Sequence, residues 1–166
     1  MAVNEHKNLL DINRHNPLGF EGAPNNSYLG KLNGASYDDG QGNLSWSYQL
    51  ETFALRGNTP TTTVVVAAGI DFIRMPYDFR LTDIRASFNT ASTGATSIDV
   101  LEGGVSVLST LITIDATEET SVTAATPVVI SDFALANDAK ITFDVTAVAG
   151  VAATGIKIHL IGYRTT

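Results

Sequence analysis

Lys140-Ile141-Thr142-Phe143-Asp144-Val145-Thr146-Ala147-Val148 is the stretch on which the fold turns. Ile141, Phe143 and Val145 alternate with Thr142, Asp144 and Thr146, the period-two signature of a strand with one face in a core and the other in water. Ile156, Ile158 and Leu160 repeat the pattern further on. Outward from these two stretches, candidate strands cover 61–67, 71–75, 80–89, 96–102, 105–110, 112–115 and 127–131, with turn signals between them at the spacing of a sandwich. One of them changes phase. Phe79 and Leu81 share one parity while Ile84, Ala86 and Phe88 share the other, so a β-bulge is needed near Thr82-Asp83. Glu102-Gly103-Gly104 reads as a tight hairpin turn. These features predict an all-β chain, with a jelly-roll-like antiparallel β-sandwich over residues 59–166.

Residues 1–58 differ in kind. Asn25-Asn26-Ser27, Asn33-Gly34 and Asp38-Asp39-Gly40-Gln41-Gly42-Asn43 are turn formers that recur too often for a regular element to grow. Leu9, Leu10 and Ile12 could share one face of a helical turn, and Leu44, Trp46 and Tyr48 alternate as in a short strand over 44–50. So few apolar anchors do not offset the ordering entropy of such a length. The expectation is an extended, mostly irregular N-terminal arm that gains its shape from a neighbour, with Trp46 as an anchor.

Several strands are apolar on the face that should be wet. Val64, Val65 and Val66 sit in an unbroken apolar run, and the last strand sets His159, Ile161 and Tyr163 on the face opposite Ile158 and Leu160. A doubly apolar strand in an antiparallel sandwich implies a cover. These six residues are therefore candidates for an interface between copies of the chain.

Composition excludes other classes of function. The 166 residues hold 10 Lys+Arg against 17 Asp+Glu, a net charge of −7, and no cysteine. Disulfides, thiolate metal sites and cysteine nucleophiles are out. Nothing concentrates cations against phosphates, so no nucleic-acid partner is expected. The first residues lack a secretory pattern and no apolar run is long enough for a membrane helix, so no membrane partner is expected either. His6, His15 and His159 have no metal-ligand spacing, Asp38–Asn43 lacks the ligand order of a calcium loop, and adjacent Glu118 and Glu119 would face opposite ways on a strand. No catalytic residue, metal or cofactor is expected.

Two stretches carry a resemblance. Asn4-Glu5-His6-Lys7-Asn8-Leu9, with Asn13-Arg14-His15-Asn16-Pro17-Leu18-Gly19-Phe20-Glu21, resembles the N-terminal segment of virion structural proteins of tailed bacteriophages, the head-fibre and capsid-decoration proteins of crAss-like and related phages. The part from Phe72-Ile73-Arg74-Met75-Pro76-Tyr77 through Thr126–Ser131 to Ile158–Arg164 resembles a β-sandwich module of phage fibre and decoration proteins. The resemblance implies a non-enzymatic oligomer on the capsid surface, made in the host cytoplasm and tied to the major capsid or another virion protein by its arm. A trimer is the favoured assembly. Pro17 restrains Asn16 and Gly19 allows a sharp turn before Phe20. Leu18 and Phe20 would then fill pockets of the partner, Arg14 would pair with a carboxylate, and Asn13 and His15 complete the attachment string. The alternative is a tail-fibre or baseplate component whose sandwich binds a host-surface glycan through exposed aromatics such as Tyr77 and Phe133.

Overall fold

Alternation of small apolar and β-branched residues with polar ones builds strands throughout the second part of the chain. The computed structural model describes residues 27–28, 47–57 and 59–165. The chain divides into two units, Met1–Gln49 and Leu50–Thr166. In the first, β1 (Ser27–Tyr28) pairs antiparallel with β2 (Ser47–Tyr48). The attachment residues Asn13 to Phe20, and Trp46, lie outside the described residues.

The second unit contains β3 (Glu51–Gly57), β4 (Phe72–Arg74), β5 (Phe79–Ser87), β6 (Thr96–Glu102), β7 (Val105–Ser106), β8 (Leu108–Thr110), β9 (Ile112–Ile114), β10 (Val129–Ile130), β11 (Ala134–Leu135), β12 (Lys140–Val148) and β13 (Ile156–Arg164). One sheet has the order β11-β5-β13-β3 and the other β4-β12-β6-β7, with β9 also paired to β6. A further small pair joins β10 to β8. All of these pairings are antiparallel. The long strands β3, β5 and β13 share one sheet and β6 and β12 the other, and the inner faces of both sheets close on one core. Leu55, Phe79, Leu81, Ile84, Ile158 and Leu160 enter it from one side and Ile98, Val100, Ile112, Ile141, Phe143 and Val145 from the other. Each such side chain contributes about 1.5–3 kcal/mol by leaving water. This all-β sandwich is the architecture that the alternation predicts.

Two boundaries differ from the sequence expectation. The sandwich begins at β3, so residues 51–57 belong to it and not to an arm ending at 58. Phe53 and Leu55 point inward while Thr52, Ala54 and Arg56 are exposed, a period-two pattern obscured by the Asn- and Gly-rich sequence before it. Residues 61–67, in contrast, form no ladder strand. They touch the sandwich at separate points, with the Val64 amide donating to the Ala153 carbonyl at 2.9 Å and the Ala67 amide to the Val145 carbonyl at 3.1 Å. Two-residue β11 also went unforeseen, being too short to show a period.

Both sheets carry a bulge, and each has a threonine at it. Ile161 pairs with Asp83 but Gly162 with Leu81, leaving Thr82 as the extra residue at the expected position. Val145 pairs with Ile98 but Ala147 with Ser97, leaving Thr146 extra in the other sheet. The Thr82 hydroxyl donates to the Ile161 carbonyl and the Thr146 hydroxyl to the Ser97 carbonyl, both at 3.1 Å. Each side chain thus supplies a cross-strand bond where the backbone ladder is interrupted. Gly103 and Gly104, both at positive φ, make the tight turn between β6 and β7.

Candidate interaction surfaces

The six residues expected at an interface separate into three groups. Val64 is 4% exposed and belongs to the sandwich's own core, so it is removed from any interface between copies. Its amide bond to the Ala153 carbonyl and the Thr63–Thr154 bridge seat this segment against the sandwich. Val65 and Val66 stay 58% and 62% exposed. Val64 and Val65 help to line a cavity of about 200 Å³ with Gly57, Thr63, Ala67, Ile70 and Ile156. A Cβ on Gly57 would lie 2.3 Å from Ile156 Cγ2, which is why glycine stands at the end of β3.

His159, Ile161 and Tyr163 are half-buried on the outer face of the first sheet. Register assigns their neighbours. Arg56 and Ser87 flank Lys157, Ala54 and Arg85 flank His159, Thr52 and Asp83 flank Ile161, and Arg80 stands beside Tyr163. The face is therefore mixed rather than apolar. It gathers Arg56, Arg80, Arg85 and Lys157, with Asp83 the one carboxylate in these rows. Asp83 accepts from Arg85 Nε at 2.6 Å, an exposed ion pair of small energetic worth. The sequence hid this concentration because the cations come from three strands that pairing alone brings together.

Several aromatic side chains pack within the fold, while Phe72 and Phe133 stay 60% and 41% exposed. Phe53 packs edge-on against Phe79 at 5.2 Å and 77°, and lies 6.0 Å from Tyr77 at 58°. The Arg164 guanidinium sits 4.8 Å from the Tyr77 ring centre. The Tyr77 hydroxyl donates to the Glu51 carboxylate. That hydrogen bond, followed by desolvation and the nearby Glu51 charge, raises the phenol above its ordinary range, while Arg164 opposes the shift. Tyr77 is thus engaged on its ring and at its hydroxyl. Phe133 is more open at 41% exposure, with Arg80 5.6 Å from its ring centre.

Carboxylates in the sandwich hold loops. Asp115 accepts from the Ala125 amide at 2.8 Å, Glu118 from the Thr123 hydroxyl at 2.6 Å and Asp78 from the Asn137 amide at 2.7 Å. Among the described residues no group of three or more His, Cys, Asp or Glu is placed to hold a metal ion. The Asp38–Asn43 stretch, His6 and His15 lie outside the described residues. Among the described residues no helix is long and apolar enough to cross a membrane. No family model, curated protein or solved structure matches the chain.

Proposed function

We propose that the chain is a non-enzymatic structural protein of a tailed-phage virion, a head fibre or capsid decoration protein. Residues of the first unit attach it to the major capsid or a neighbouring virion protein, and the sandwich stands out from the capsid surface. The observation that carries this reading is the Asn13-Arg14-His15-Asn16-Pro17-Leu18-Gly19-Phe20 string in a unit separate from a sandwich with its own core. Exposed Val65 and Val66, and the half-buried Ile161 and Tyr163, supply apolar area for contacts between copies, with a trimer favoured. The glycan-binding alternative has less support, since Tyr77, its first aromatic, is engaged by Glu51, Phe53 and Arg164.

The full chain and its Leu18→Ala/Phe20→Ala variant would be sedimented with virions of the encoding phage stripped of this protein. The full chain co-sediments, and the variant loses at least about tenfold in affinity through two buried apolar anchors. Equal binding by the two proteins would remove the attachment role from this string.

A further inference from the structure

We propose that the outer face of the β3–β13–β5 sheet holds a binding site for an oxyanion, a carboxylate or phosphate group on a small molecule, where Arg56 and Lys157 meet. The site rests on the sandwich alone and is independent of virion attachment. Lys157 stands directly across from Arg56 in one ladder and from Ser87 in the other. Directly opposed side chains have Cβ atoms about 5 Å apart, and like charges so placed destabilise a sheet. Among the described residues neither cation forms an ion pair that would offset this. The ion pairs of the described residues are Arg74–Asp138 and Arg85–Asp83. The Asp71 carboxylate accepts from the backbone amides of Arg56 and Phe72, at 2.7 and 2.8 Å.

Arg56 and Lys157 line one cavity of about 190 Å³, together with Ser87 and Asn89. None of these four polar side chains makes a hydrogen bond or ion pair among the described residues. Residues bearing a guanidinium, an ammonium, a hydroxyl and an amide thus line one cavity, the donor set that an oxyanion satisfies. Pro60, Phe88, Gly155 and Ile156 complete the lining.

Backbone hydrogen bonds hold one side of the cavity in place. Gly155 has φ +64°, and a Cβ there would lie 2.6 Å from the Pro60 carbonyl oxygen and 2.9 Å from Asn89 Cβ. Glycine thus lets the Pro60 segment and Asn89 close together beside the cavity. The Gly155 amide donates to the Thr62 carbonyl at 3.0 Å and the Asn89 amide to the Thr154 carbonyl at 2.8 Å. The backbone beside the cavity therefore needs no ordering on binding, and the entropy cost falls on the Arg56 and Lys157 side chains. Its volume is below the range of about 300–1,000 Å³ typical of larger ligands, so it suits an acid group with a few atoms of its carrier.

The test is an NMR amide titration of the full chain with sodium phosphate, with sodium glucuronate, and with glucose as a neutral control, all at constant ionic strength. Saturable shifts are expected at Arg56, Ser87, Asn89, Gly155 and Lys157 with at least one anion. Arg56→Gln and Lys157→Gln should each weaken binding about tenfold through loss of a charge-assisted bond, while Lys157→Arg retains it. Both positions are exposed, so the remaining spectrum should stay unchanged. A response to phosphate alone identifies a phosphorylated ligand and to glucuronate alone an acid sugar, and either supports the site. No saturable shift from either anion, equal binding of glucose, or full binding by the Arg56→Gln/Lys157→Gln protein would overturn it.

Discussion

Each sheet of the sandwich sets two like charges against each other across neighbouring strands, and the two sheets treat them differently. On the β4–β12–β6 sheet, Asp144 stands opposite Asp99. Asp144 accepts from the Gly69 amide at 2.7 Å, and Asp99 accepts from the Ser106 hydroxyl at 2.6 Å and the Val100 amide at 2.8 Å. Donors from the same chain offset the repulsion. On the β3–β13–β5 sheet, Arg56 opposes Lys157 and neither has an acid partner among the described residues. In a protein of net charge −7, one sheet satisfies its acids internally while the other leaves cations facing outward. The open pair is where an outside anion gains most.

The contrast breaks most completely if the β13 ladder is lost. A Cβ on Gly162 would lie 2.0 Å from the Arg80 carbonyl oxygen and 2.7 Å from Phe79 Cε1, and the backbone cannot yield cheaply. Gly162→Ala should lower unfolding free energy by about 2–4 kcal/mol in a urea melt and abolish the alignment of Arg56 with Lys157 and Ser87. A midpoint near wild type would mean that β13 and β5 can separate without penalty.

A smaller effect tests the satisfied sheet. Ser106→Ala removes a charge-assisted donor from Asp99 while Asp144 stays opposite, and should cost about 1–2 kcal/mol in the same melt. If the midpoint does not move, internal donors are not what steadies the acid pair. The smallest expected change is a gain. Lys157→Glu gives Arg56 an opposite charge across the ladder and should stabilise by about 0.5 kcal/mol at low salt, fading as salt rises. Destabilisation at low salt would contradict the repulsion assigned to the native pair.

Much of the sandwich was legible in local sequence. β12 and β13 announce themselves by parity, the Thr82 bulge by a slip in that parity, and the β6–β7 turn by Gly103-Gly104. Val64 to Val66 misled for a physical reason, since β-branched residues favour extended backbone whether or not a ladder partner is present. β3 was readable in Phe53 and Leu55 but stood beside turn-rich sequence that lowered its weight. Neither the Arg56–Lys157 opposition nor the Asp99–Asp144 one could be read from spacing. Each joins residues far apart in the chain, and only the sheet order makes them neighbours. The attachment string is legible as sequence alone, because its residues lie outside the described part.

β13 lies between β3 and β5 in its sheet. On a translating ribosome, those two earlier strands cannot become neighbours of anything long until residues 156–164 have been made and inserted. Meanwhile both present unpaired edges, the state in which a nascent chain is most open to chaperones and to pairing with a second copy. The strand that arrives late acts as a wedge. Its arrival commits two otherwise separate pieces at once, so assembly of that sheet should be slow to begin and abrupt to finish.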